Sequence, residues 1–282
     1  MKPFVLVALQ VAFLVLPALA DDAVEEVVKL NDPDLTESSG LAASHVRDSF
    51  WWTHNDSGGK ARLFAFKPDG TPSGRCQLNG VDAVDWEDMA SFTDEQQARL
   101  VVADCGDNFA KRESIQLYLF NEPDPKFSTK LEDFQQLEVT YVDGPHNCEA
   151  IAVDVAARKI ILITKENLLA AGVYLLDLPR ATDASRQKVV AKRITSLAIP
   201  MISAVDRNAS NGDLWVINYF QAFHFARSPD DQTLAEQLGK LPVVIDLPKW
   251  KQIEAVAVDD AQQVWITSEG QSAPLGRIAP NQ

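Results

Sequence analysis

Five aligned segments of the 282-residue sequence place Ser39, Glu87, Glu149, Ser203 and Glu254 at one shared position. If the segments form equivalent strands around an axis, three carboxylates face one narrow channel, where like charges repel unless something positive lies between them. A calcium ion meets that demand, since it takes roughly six to eight oxygen ligands in flexible geometry and accepts carboxylates, carbonyls and water alike. Ser39, Glu87, Glu149, Ser203 and Glu254 are therefore the candidate calcium shell. The alternative is a solvated acidic channel, or carboxylates bonded to backbone amides without a metal.

A second group of polar residues follows the second strand of each segment. It comprises His54-Asn55-Asp56-Ser57-Gly58-Gly59, Asp104-Cys105-Gly106-Asp107-Asn108, Lys165-Glu166-Asn167, Asn218-Tyr219 and Ser268-Glu269-Gly270. Tight turns use the same residue types, so each loop alone says little. In a radial repeat, however, these loops share a face with the connectors that carry Glu37, Asp82, Asp85, Trp86, His146 and Asn147. Binding groups concentrate on loops held by a rigid scaffold. The candidate ligand contacts are His54, Asn55, Asp85, Asp104, Asn108, Arg112, His146, Lys165 and Glu269, with Asp56 or Asp107 to orient or deprotonate an attacking water. His45, His54, His146 and His224 lack zinc-type spacing, and no GxxxxGK loop, GxSxG elbow or CxxC pair occurs. Nucleophilic catalysis is not indicated.

The elements that must position these residues are β-strands. After each first segment come runs rich in β-branched and aromatic residues, at 50–53, 100–103, 159–164, 214–217 and 264–267. Third runs follow at 62–66, 115–120, 173–178, 223–226 and 275–278, and fourth runs at 75–78, 137–142, 193–199 and 242–247. The fifth unit lacks a fourth run, but 24–30 stands unassigned. Pairing it with the last unit would close a ring and leave no open sheet edge. The expectation is an all-β, five-bladed β-propeller, with six blades as the alternative if a long connector hides another sheet. Connectors 124–133, 181–192 and 228–240 have room for short helices. The repeat spacing of about 54 residues is near the kelch period, without the kelch or WD40 signature.

Lys2, an apolar run over 4–16 and Ala18-Leu19-Ala20 read as a signal peptide of residues 1–20, leaving 21–282 as one domain that is secreted or periplasmic. With 40 acids against 26 bases, the net charge of −14 disfavours nucleic acid and anionic membranes and leaves a small-molecule or extracellular ligand as partner. A monomer is expected. Among the three cysteines, a Cys105–Cys148 bridge with Cys76 reduced is expected from their positions in the repeat, two separate buried thiols being the alternative.

The NDSGG run at Asn55–Gly59, Asp85-Trp86-Glu87-Asp88, the GDN at Gly106–Asn108, Glu149-Ala150-Ile151-Ala152 and Ser268-Glu269-Gly270 resemble a family of uncharacterised secreted bacterial β-propeller proteins. That resemblance covers nearly the whole mature chain and implies the fold and the choice of site residues, with no established activity. The order Ser39, Glu87, Glu149, Ser203, Glu254 also resembles the calcium shell of the five-bladed calcium-activated nucleotidases. It implies a calcium-dependent hydrolase of phosphate esters or anhydrides. A non-catalytic calcium-stabilised recognition module and a lactonase- or esterase-like propeller are the alternatives, the last with His54 or His146 near the ion.

Overall fold

The computed structural model describes residues 24–56, 58–166 and 170–279. The expected leader lies outside the described residues.

After β1 (Val24–Leu30) the chain builds antiparallel meanders. The first unit holds β2 (Gly40–Ala43), β3 (Trp51–His54), β4 (Lys60–Phe66) and β5 (Pro72–Asp82). The second holds β6 (Trp86–Asp94), β7 (Gln97–Asp104) and β8 (Ile115–Asn121), then a short β9 (Thr129–Leu131) and β10 (Gln135–Tyr141). The third holds β11 (Cys148–Asp154), β12 (Lys159–Thr164), β13 (Ala171–Asp177) and β14 (Arg186–Leu197). The fourth holds β15 (Ile202–Arg207), β16 (Leu214–Asn218) and β17 (Gln221–Phe225), then α1 (Leu234–Leu238) and β18 (Val243–Asp246). The fifth holds β19 (Ile253–Val258), β20 (Val264–Ser268) and β21 (Ala273–Ile278), onto which β1 pairs antiparallel from Val24↔Ile278 to Leu30↔Ala273.

The first strands pack side by side in a closed circuit: β2 on β6, β6 on β11, β11 on β15, β15 on β19, and β19 back on β2. This is the radial arrangement of a propeller. Small residues serve these strands, among them Gly40, Ala90, Ala150, Ala204 and Ala255, because the units converge there and space is least. Burial follows the same logic. The inner strand β11 is buried at every position, whereas the outer β10 alternates buried and half-buried residues. Successive residues of a strand face opposite sides. On β12, Ile160 and Leu162 therefore enter the cluster shared with the second unit, while Ile161 and Ile163 enter the one shared with the fourth. Further clusters fill the remaining junctions between neighbouring units.

Two connectors differ from expectation. Residues 124–133 hold the strand β9, which pairs in parallel with β5 of the first unit through Cys76↔Thr129 to Leu78↔Leu131. Residues 186–191 begin β14 early and pair in parallel with β10, joining the second and third units into one eight-stranded sheet. Arg186, Lys188 and Lys192 fit here because outermost strands keep one face in water and tolerate such charge. The 228–240 connector does hold a helix, α1, with Thr233 and Glu236 forming a capping box.

Candidate acidic site at the ends of the inner strands

Four of the five inner strands begin with an irregularity, and β2 pairs regularly from Gly40 onward. Pairing skips from Trp86 to Asp88, from Cys148 to Ala150, from Ile202 to Ala204 and from Ile253 to Ala255. The residues stepped over are Glu87, Glu149, Ser203 and Glu254, while Ser39 immediately precedes β2. A bulge leaves one residue out of the ladder and re-aims its side chain, which is why such features gather near binding sites.

Glu87 meets two loop residues there. One carboxylate oxygen from each of Asp56, Asp85 and Glu87 lies within 4.8 Å of the others. The loop Asp104–Asn108 closes over them because Gly106 has no side chain to intrude, and the Cys105 and Gly106 amides both donate to the Asp85 carbonyl, at 3.0 and 3.1 Å. Asp56 Oδ1 is buried and has no hydrogen-bond partner among the described residues. Burial raises the Asp56 carboxyl to about 7, and Asp85, Glu37 and Glu149 push the same way. Asp85 is raised by burial and by Glu149, against the pull of Arg112. Glu87 is raised well above the carboxylate range by burial, then by Glu149 and Asp56. Three carboxyls converging without a cation among them is the charge arrangement that a hard divalent ion relieves.

Glu149 is the cluster's next neighbour but has partners of its own. It accepts from Lys165 Nζ at 3.1 Å and from Asn147 Nδ2 at 2.8 Å, and Lys165 also reaches the Tyr219 hydroxyl at 2.8 Å. Burial works against the Lys165 ammonium, yet Glu149 and Tyr219 outweigh it and hold its pKa above the usual lysine value. Glu254 is drawn towards Glu269 instead, and burial with that second carboxylate raises it to about 8. Glu269 pairs with Lys251 at 3.0 Å and accepts from Gln252. The Ser203 hydroxyl donates to the Ile253 carbonyl at 3.0 Å, and Ser39 Oγ is buried with no partner among the described residues.

Several candidate ligand contacts shape the loops. Asn55 accepts from the Thr36 and Glu37 amides and donates to the Asp34 carbonyl. The Asp107 carboxylate accepts the Arg112 amide at 2.6 Å, while its own amide donates to Asn147 Oδ1 at 2.6 Å. Arg112 pairs with Asp104 at 2.7 Å and donates to the Gly106 carbonyl, and Asn108 accepts weakly from Asn147 at 3.4 Å. His54 is fully buried, edge-on to Trp86, and burial lowers its pKa to about 4, so the ring is neutral. His146 sits between Asp143 and the Tyr174 hydroxyl, at 3.1 and 2.8 Å.

One expectation is corrected. Cys76, Cys105 and Cys148 are all free and buried, so the Cys105–Cys148 bridge is not formed. The two thiols have carbonyl partners instead: Cys105 Sγ donates to the Cys148 oxygen at 3.1 Å and Cys148 Sγ to the Ala150 oxygen at 3.7 Å.

Two carboxylates, the buried Asp88 and the half-buried Asp206, escaped the sequence reading. Asp88 accepts the amides of Met89 and Ile151, at 2.8 and 2.9 Å, and more distantly that of Val205, so one side chain ties three inner strands together. Asp206 accepts the Arg207 amide and, from the next inner strand, that of Val258 at 2.7 Å. Both occupy columns of the repeat that otherwise hold Gly or Ala, and that contrast was the available clue.

No family profile matches the chain, and no curated protein sequence matches it. Solved structures do resemble it. A gluconolactonase from Xanthomonas campestris aligns over 89% of each chain with TM-score 0.51 and 11% identity. A soluble aldose sugar dehydrogenase from Escherichia coli aligns over 92% of this chain and 99% of its own, with TM-score 0.50 and 10% identity. A glucose dehydrogenase covers the same shares, with TM-score 0.52 and 10% identity. The fold is propeller-like. At such low identity the likeness carries architecture and no activity.

Proposed function

We propose that this chain is a five-bladed, exported β-propeller that binds a divalent cation, calcium, at Asp56, Asp85 and Glu87 and hydrolyses a lactone or ester there. The convergence of those three carboxylates carries the reading. Their donor set is all hard oxygen, and Asp56 Oδ1 is a buried acceptor with no hydrogen-bond partner among the described residues.

Bound calcium would polarise a carbonyl and favour ionisation of a water. The residues of the chain supply the rest. Asp85 and Glu87 hold the charge in place, the loop carrying Gly106 shields it, and Asp56 accepts a proton from the attacking water through the carboxylate oxygen that is not on the ion. As water adds to the carbonyl carbon, the ring C–O bond breaks and the departing alkoxide takes that proton, giving a hydroxy acid.

A neutral substrate suits this face better than a phosphate ester. Lys165 is already paired with Glu149 and Arg112 with Asp104, so a polyphosphate would meet carboxylates with no free cation from either residue. The gluconolactonase among the similar structures fits a lactone substrate on this scaffold. Calorimetry with calcium, followed by a panel of sugar lactones, aryl esters and nucleotides with and without chelator, tests the proposal. Chelator-sensitive lactone or ester turnover is expected. Calcium binding without any turnover would leave a recognition module, and absence of saturable calcium binding would overturn the site itself.

A further inference from the structure

A different polar site lies at the seam between the second and third units. Arg99 on β7 is only 2% exposed, yet it lacks a close carboxylate. Asp94 stands 3.8 Å from it, because the same carboxylate is held at 2.5 Å by Arg158. Two guanidinium groups thus share one anion. Arg99 Nη2 donates to Gln135 Oε1 at 2.6 Å, Nη1 reaches the Pro179 carbonyl at 3.4 Å, and Nε has no partner among the described residues. Burial lowers its pKa, with Asp94 opposing and Arg158 reinforcing that shift. A buried guanidinium whose nearest carboxylate is shared and 3.8 Å away is incompletely compensated, and a ligand anion is one way to complete it.

Arg99 lines an open cleft of about 490 Å³. One wall comes from β7, β8 and β10, the other from the connector before β14 and the start of β14 itself. Arg186 lines it too and has no ion pair among the described residues. Glu132, Asp133 and Asp183 complete a rim of opposite sign. A multiply charged anion would be repelled by that rim, and a simple cation by the arginines. A ligand carrying both charges matches both.

We propose that this seam cleft binds a small zwitterion, its carboxylate directed to Arg99 and Arg186 and its ammonium to Glu132, Asp133 and Asp183. Free amino acids and short ω-amino acids have this chemistry. Because the walls belong to two units, occupancy would also brace the seam where β10 and β14 pair.

Calorimetry and thermal melts of the full chain with glycine, 6-aminohexanoate, acetate and inorganic phosphate test the assignment. At least one zwitterion should bind saturably and raise the melting temperature, at least tenfold more tightly than acetate or phosphate. Arg186→Gln, an exposed change, should melt like the wild type alone and bind that zwitterion at least fivefold more weakly. Asp85→Asn should bind it unchanged, which separates this cleft from the acidic cluster. No saturable binding of either zwitterion, equal binding by R186Q, or a preference for phosphate would overturn the proposal.

Discussion

Gly106 lies so close to the Glu87 carboxylate that no Cβ fits between them without moving it. A Cβ on Gly106 would lie 2.1 Å from Glu87 Oε1 and 2.4 Å from Asp85 Oδ2, inside any permissible contact. The backbone of the loop therefore rests directly on two of the three clustered carboxylates.

Gly106→Ala should push Glu87 and Asp85 apart. Overpacking of this kind costs about 1–3 kcal/mol. The expected outcome is at least a tenfold loss of calcium affinity by calorimetry with a modest fall in melting temperature. Unchanged calcium affinity would mean that the cluster is not the ion site.

Glu87→Gln should separate stability from binding. Glu87 is buried against Glu149 and Asp56, and these neighbours disfavour its ionised form. The neutral isostere removes that repulsion, so the metal-free variant should melt about 2–4 °C higher, corresponding to ~1 kcal/mol. The rise in melting temperature that calcium gives the wild type should disappear. A metal-free variant less stable than the wild type would contradict the repulsion argument.

Asp206 should leave a pH signature. Burial raises its carboxyl from 3.8 to about 7, against the amides of Val258 and Arg207. The unfolded chain ionises near 3.8 and the folded one only near 7, so the folded state binds more protons and loses stability as pH rises through that window. His54, lowered to about 4, acts in the opposite direction over much of the same range, so the wild-type curve is a compromise. The difference between variants isolates Asp206: the stability of Asp206→Asn relative to wild type should improve by roughly 2–4 kcal/mol from pH 4 to pH 7. Denaturant melts at several pH values measure it, and a flat difference would refute it.

The thiols can be counted. Alkylation in denaturant without reductant should label Cys76, Cys105 and Cys148 alike, whereas folded protein should react slowly because all three are buried. Burial alone raises the Cys76 thiol to about 12. Labelling of Cys76 only, with the others appearing after reduction, would show that Cys105 and Cys148 close into a bridge in solution.

Strand order was legible because the repeat sets hydrophobic runs at fixed intervals, and β1 was legible because one unit lacked an outer strand. The parallel pairing of β14 on β10 was not. Its charged residues suit an exposed edge, and nothing in local composition separates such a strand from a loop. At the site, the repeated column holding Glu87 and Glu149 pointed to the right neighbourhood. Which carboxylates meet depends on the path of the loops, and that is how Glu254 comes to lie beside Glu269 while Asp56 joins Glu87. Asp88 and Asp206 stood in plain view as exceptions within columns of small residues.

The pairing of β1 with β21 sets an order of events. β1 precedes its partner, from Ala273 to Ile278, by about 250 residues, a separation that makes late closure slow. Until the last strand is synthesised, one edge of the fifth unit stays open and β1 waits unpaired, its apolar residues exposed to whatever escorts the chain. Removing β1 should therefore bare the edge of β21, and removing β21 should bare β20 and leave β1 without a partner, while β19 still packs on β2.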